Sequence, residues 1–508
     1  MKQSSRFGEE NIVGMTLASI IPTLVSGLYN DTFDLVREYC QNSYDAILLK
    51  YGDSAEVEGR IDITIENQNL IIHDNGTGMP LEIVKKCAVI GFSSKDVNNQ
   101  VGYRGVGRLS GICAATKMHF VTKVENSLVE YIFEIDAQEL VSSLDRDTKF
   151  TKRASDVIKK HSKLSQQKVS LKDKKKSYTT VILYGIHGEA GKLLDEDRLR
   201  EYLEMNLPVF IHPKLNEASK INKLYRDYDK LFPNIPIYLN DKQIYKPYHE
   251  MGGTKEYKSL ILKNPRGRTL AVVWLIWDTT KSCMVPQVRI RGIRYRNKGF
   301  TIGNNGYLKT ILNTSPPQVP DWFIGEVIVI DDRAQVSSDR SRFEDTLSRS
   351  EIEKALKYTI AKELETIARN KSKNASKERA ITKAKTHLKD VKKKNKYSIY
   401  ISEGERNKLV KESKKNYEKL SELSRKRTTT EKEKKDIQKI KNKISENIKE
   451  LSAKKKTVND LDKILRRSPM AEQVHKVTVS AIKRYFKKCE SSEELITKIG
   501  NDLMKKVC

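Results

Sequence analysis

Three short segments follow one another between Arg37 and Gly107: REYCQNSYDA at 37–46, IHDNGTGM at 72–79 and GYRGVG at 102–107. Their order restricts the fold more than any other feature of the chain. The first belongs to a helical stretch over 12–50, with apolar positions at Leu24, Leu28, Phe33, Val36 and Ile47 and Asp31 placed to cap the motif helix. The second ends a β-hairpin, in which RIDITI (60–65) alternates, Asn67-Gln68-Asn69 turns and LIIHD (70–74) returns. The third is a glycine-rich loop. A helix, a strand that runs into a glycine loop, and a second glycine loop require a mixed α/β domain.

Each segment offers a specific chemistry. Glu38 and Asn42 stand one helical turn apart and so share a face. The carboxylate can polarise a water, and the amide oxygen can hold a hard cation. Asp74 ends a strand and can accept from an exocyclic amine such as adenine presents. Gly76 and Gly78 let backbone approach a flat base without a Cβ in the way, and Met79 adds a soft apolar surface. Gly102, Gly105 and Gly107, with Val106 between the last two, leave N–H groups to face phosphates at a helix start. Lys95 and Arg104 are cations near this loop, for which a phosphate contact and a solvated charge are equally compatible. Taken singly every one of these signals is weak, and DNGTG alone reads as a tight turn.

In combination, the helix with Glu38 and Asn42, the DxGxG segment and the glycine-rich loop resemble the GHKL superfamily of gyrase B subunits, ninety-kilodalton heat-shock chaperones, histidine kinases, MutL and MORC proteins. The resemblance spans about residues 10–190. It implies an α/β-sandwich (Bergerat) ATP-binding domain over 1–190 that takes ATP and Mg²⁺, within an overall α+β chain. By that resemblance Glu38 is the general base that activates water, Asn42 the Mg²⁺ ligand, Asp45 an acidic position that shapes the pocket, and Asp74 the adenine ligand. Thr179, in TTVIL, matches the strand threonine that supports the adenine pocket. The presence of Glu38 sets the chain apart from histidine kinases. The resemblance further implies an α/β transducer domain over 191–347 that delivers a cation to the γ-phosphate, with Arg340 and Arg342 in SSDRSRFED and Lys298 in RYRNKGF as candidates. It also implies an ATP-gated homodimer.

Further strands are expected at 117–124, 130–136, 179–186, 269–277 and 326–331. The Lys-rich insertion at 151–177 is expected to be mobile or to touch something acidic. Beyond about residue 347 the chain loses Trp and nearly all Gly and Pro. Ile437, Ile440, Ile444, Ile448 and Leu451 form a seam, and Leu409, Tyr417, Leu420 and Leu423 a weaker one. They predict an antiparallel coiled-coil arm over about 404–456, turning at Thr428-Thr429-Thr430, within an all-helical region over 348–508 that ends in a small cap after Pro469. Residues 351–508 hold 45 Lys and Arg against 23 Asp and Glu, so that third carries +22 of the net +29.

Six cysteines without CxxC spacing, a polar start MKQSSRFGEEN and no long apolar run point to a reduced, cytoplasmic chain without a membrane span or zinc site. A basic tail behind an ATP-binding domain leads to a MORC- or MutL-like nucleic-acid clamp or sensor, with DNA the expected polymer bound through the C-terminal region and the 151–177 insertion. The setting expected is bacterial anti-phage defence or DNA processing with a separate, operon-encoded effector, since no nuclease or topoisomerase cleavage motif is found. The alternative is a chaperone-like ATPase whose basic coiled coil makes protein contacts.

Overall fold

The computed structural model describes residues 31–88, 101, 107–146, 154–280, 283–337, 339–395, 403–426, 429 and 431–453. The chain divides into two compact units, Met1–Ala368 and Arg369–Cys508.

The first unit holds two sheets. The larger has eight strands in the order β5-β4-β3-β6-β2-β1-β7-β8. These are β1 (Ile61–Glu66), β2 (Asn69–Asp74), β3 (Lys117–Lys123), β4 (Val129–Asp136), β5 (Ser162–Lys168), β6 (Tyr178–Tyr184), β7 (Ile237–Leu239) and β8 (Lys242–Gln243). All neighbours are antiparallel except β1 and β7. The β1–β2 hairpin forms where alternation predicts it, with Asn67 in the left-handed conformation at its turn (φ 54°). Burial alternates along β2, where Leu70, Ile72 and Asp74 face inward, so one face of this sheet is covered. The covering elements include helix α1 (Phe33–Tyr51) and the tight helical turn Gly107–Cys113. Helix α1 starts where the Asp31 carboxylate accepts from Phe33 N–H at 3.2 Å.

The 151–177 insertion differs from its expectation. Its described part contains a short helix, Ala154–Lys160, and the edge strand β5, paired with β4. The Lys123 ammonium then holds the loop that follows, donating to the carbonyls of Lys174 and Lys176 and to that of Val124. SKLSQQK carries no apolar alternation, and none of its residues is buried, so neither face of this edge strand packs into the core. Strands β7 and β8 likewise join the first sheet from beyond residue 190.

The second sheet has the order β12-β11-β13-β10-β9. It comprises β9 (Lys255–Lys263), β10 (Thr269–Asp278), β11 (Gly292–Asn297), β12 (Phe300–Ile302) and β13 (Ile324–Val329). Strand β10 is the apolar run TLAVVWLIWD, and Leu270 through Ile276 are almost wholly buried, as a central strand covered on both faces requires. From Leu347 a helical stretch packs Ile352, Leu356, Ile360 and Leu364 into the same core as this sheet. The two sheets meet around Tyr44 of α1, whose hydroxyl donates to Pro233 O at 2.6 Å and whose ring meets Phe300 edge-on. Arg296 is buried beside them, donating to Asn234 and stacked on the Tyr225 ring 4.3 Å from its centroid.

The second unit is helical. The described part of it comprises the end of α2 (Lys362–Asn395), α3 (Glu403–Arg425) and α4 (Glu431–Ser452). The expected seams are present as a buried cluster of Leu420, Leu423, Ile437, Ile440 and Ile444. At the turn beside this cluster, Thr429 Oγ1 donates to Leu423 O at 2.7 Å, and at the open end of the α3–α4 hairpin Leu409 meets Leu451. Ala384, Leu388 and Val391 of α2 complete both clusters, so three helices share the core where two were predicted. Tyr417 is 37 % exposed and stands outside both clusters, with the Lys441 ammonium of α4 4.9 Å from its ring centroid. The predicted cap after Pro469, together with Thr428 and Thr430, lies outside the described residues.

Candidate functional site

Helix α1 is buried around most of its circumference, including Arg37, Tyr39, Gln41, Ser43, Tyr44 and Asp45. Glu38, Asn42 and Ala46 form a half-buried line along it at four-residue spacing. Two predicted glycines close on this line. A Cβ on Gly107 would lie 2.2 Å from Glu38 Oε2, and one on Gly76 would lie 2.6 Å from the Ala46 Cβ. Both glycines therefore give room for close packing against the motif helix. Gly78 has φ +69°, and a Cβ there would lie 2.0 Å from Lys123 O, so only glycine suits it.

Three adjacent strands bring polar side chains together on their inward face. Asp74 pairs with Thr179 across β2–β6, and Thr179 with Thr122 across β6–β3. Along each strand the other inward positions are apolar: Leu70 and Ile72, Val181 and Leu183, Met118 and Phe120. Asp74 thus puts a carboxylate where the pattern puts core, and it is 2 % exposed. Burial pushes its pKa up to about 6, against hydrogen bonds from the Ser43 hydroxyl and the Gly76 and Thr179 N–H groups and the charge of Lys50, which pull it down. The Gly76 N–H donates to Asp74 Oδ1 at 3.0 Å, and the Ser177 hydroxyl holds Gly76 O at 2.7 Å. Met79 N–H donates to Thr122 Oγ1 at 2.8 Å, and Thr122 Oγ1 lies 3.1 Å from Thr179 Oγ1.

Thr122, Ser43 and Ser177 were missed in the sequence. The signal for Thr122 was present, since KMHFVTKV alternates and puts Thr122 on the face of Met118 and Phe120. His73, between Ile72 and Asp74, is turned by alternation to the opposite face of β2, where Nδ1 pairs with Thr180 Oγ1 at 2.8 Å.

Asp45 is buried, and its Oδ1 accepts from Val101 N–H at 2.8 Å. On the other side of the same residue, Arg340 Nη2 donates to Val101 O at 2.6 Å. Arg340 is itself buried, with φ +54°. Its neighbour Asp339 accepts through its carbonyl from Arg37 of α1 at 3.2 Å. Arg340 is therefore placed against the segment that precedes the glycine-rich loop. Arg342 is exposed, and the Lys298 ammonium lies 5.6 Å from the centroid of the Phe232 ring. Lys95, Gly102, Arg104, Gly105 and Val106 lie outside the described residues.

The described residues contain no group of three or more His, Cys, Asp or Glu able to hold a metal ion. A cation at this line would take the Asn42 amide oxygen together with oxygens of its ligand, the coordination that suits Mg²⁺ bound with a nucleotide. No described helix is long and apolar enough to cross a membrane.

A search of curated proteins found no match. Residues 30–176 match the family described as histidine kinase-, DNA gyrase B- and HSP90-like ATPases. That span includes α1, the β1–β2 hairpin, Asp74 and the glycine-rich segment, and it stops just short of β6 with Thr179. Over residues 30–176 the chain therefore carries an ATPase domain of the GHKL type.

Proposed function

We propose that this chain is a Mg²⁺-dependent ATP hydrolase whose nucleotide cycle brings two copies together as a clamp or sensor on nucleic acid. The observation that carries the catalytic part is the line of Glu38 and Asn42 on α1, with Gly107 packed against the Glu38 carboxylate. Asp74 receives the adenine amine on a floor built by Thr179, Thr122 and Met79, and this fixes the base end of the nucleotide. Gly107 brings its backbone beside Glu38, so phosphates held by the glycine-rich segment lie within reach of the catalytic carboxylate. Glu38 takes the proton of the attacking water. Asn42 would hold Mg²⁺, which when bound neutralises charge on the phosphates.

The basic region supports the second part of the reading. Residues 351–508 carry +22, and in the described helices of this region the apolar residues are used in their own core, which leaves most of the lysines there on the surface to meet phosphates. Hydrolysis then times the clamp, and a separate effector acts, in a setting of bacterial anti-phage defence or DNA processing. The test is ATP turnover by the wild-type protein with and without long duplex DNA, at two salt concentrations, with binding followed in parallel. Stimulation and binding that weaken steeply with salt are expected. No binding at low salt overturns the clamp and leaves the ATPase assignment standing.

A further inference from the structure

One side chain of α1 has no explanation in the chemistry above. Gln41 is 1 % exposed, and neither its amide nitrogen nor its amide oxygen has a hydrogen-bond partner among the described residues. A buried carboxamide with both ends unsatisfied is costly, and natural proteins rarely keep one. Gln41 sits one turn from Arg37 and one turn from Asp45, on the same face of the helix. Both of these residues bind elements outside α1. Asp45 accepts from Val101 N–H, Val101 O accepts from Arg340, and Asp339 O accepts from Arg37. The hydrogen bonds thus run from α1 to Val101, on to the 339–340 loop beyond β13, and back to α1, with Gln41 between the two anchor points.

We infer that Gln41 is a positioning residue of the ATPase, whose carboxamide finds its partners in this seam when nucleotide is bound. A small shift of the Val101 peptide or the 339–340 loop along α1 offers Gln41 a carbonyl and an N–H. Because Arg37 and Asp45 already tie both elements to the helix, such a shift reads the state of the Glu38 line into the second sheet. Gln41 itself touches no reacting atom. This inference rests on the ATPase reading.

The test compares wild type with Gln41→Met, which keeps length and volume and removes the amide. Three quantities are measured: binding of a non-hydrolysable ATP analogue, turnover, and hydrogen exchange of peptides covering Val101 and residues 339–342. In wild type the analogue is expected to slow exchange in both peptides. In Gln41→Met, analogue affinity stays within about twofold, turnover falls about tenfold and the slowing is lost. The nucleotide-free variant melts at a higher temperature, since a buried unsatisfied amide has been removed. Unchanged turnover and an unchanged exchange response in Gln41→Met overturn the inference. A lower melting temperature with normal turnover also overturns it, by making Gln41 purely structural. Wild-type protein that binds no analogue overturns the ATPase reading itself, and this inference with it.

Discussion

Gly107→Ala is the sharpest mutational test of the proposed active site. The added Cβ would lie 2.2 Å from Glu38 Oε2, 3.1 Å from its Cδ and 3.3 Å from its Cβ, whereas ordinary contact begins at 3.4 Å. The carboxylate end must therefore retreat by about 1.2 Å. A displacement of about 1 Å at a group that positions reactants costs about 10²-fold in rate. The clash falls mainly on the end of a half-buried, flexible side chain, so stability should drop by only about 1 kcal/mol, the low end of overpacking costs. Gly76→Ala is the contrasting control. Its Cβ would meet the Ala46 Cβ at 2.6 Å and the Ala46 carbonyl carbon at 2.7 Å, and helix backbone cannot swing aside. That variant should lose about 3 kcal/mol or more, the upper end of overpacking costs. Steady-state ATP turnover, nucleotide titration and urea unfolding separate the two cases. Turnover by Gly107→Ala within about threefold of wild type would refute the placement of Glu38 as the base.

Asp74 gives a pH signature. Its folded pKa of about 6 lies above the 3.8 of an unperturbed aspartate, so its contribution to stability is fully present below 3.8 and is lost as pH rises through about 6. Urea unfolding of the nucleotide-free protein should show up to about 3 kcal/mol of this loss between pH 4 and 7, absent in Asp74→Asn. ATP affinity should weaken about tenfold per pH unit below 6 as the carboxylate that receives the adenine amine is protonated, and Asp74→Asn should bind ATP poorly at every pH. Thr122→Val leaves the Met79 N–H without its acceptor, and should cost about 1–3 kcal/mol of stability together with ATP affinity, read by the same two assays. Arg340→Ala should lower turnover about tenfold or more with nucleotide binding retained, whereas Arg342→Ala and Lys298→Ala should remain near wild type. Loss of turnover confined to Lys298→Ala would reassign the cation.

Much of the first sheet and its motif helix was legible because local pattern and global fold agree there. The β1–β2 hairpin alternates, Asp31 accepts from Phe33 N–H at the start of α1 although Thr32 is the N-cap residue, and the glycines sit where backbone must approach a side chain. What escaped lacked a local signal. Strand β5 pairs on one edge only and needs no apolar residue, and β7 and β8 are too short to show a period. The contribution of α2 to the helical bundle was hidden because Ala384 and Leu388 are diluted among charged residues of a single long helix. In the site, Glu38, Asn42 and Asp74 stood out as polar residues in recognisable segments. Ser43 and Ser177 did not, since a small hydroxyl residue is common everywhere and only the fold brings these two to Asp74 and Gly76. The Val101–Arg340 contact joins residues too far apart in sequence for any local pattern to link them.

The central claim is that Glu38 performs base catalysis on bound ATP. The direct measurement is single-turnover hydrolysis of Mg·ATP by wild type and Glu38→Ala, with ATP binding followed on the same samples. The account predicts binding within a few-fold and a loss of about 10²-fold or more in the chemical step. Hydrolysis by Glu38→Ala at the wild-type rate would contradict it.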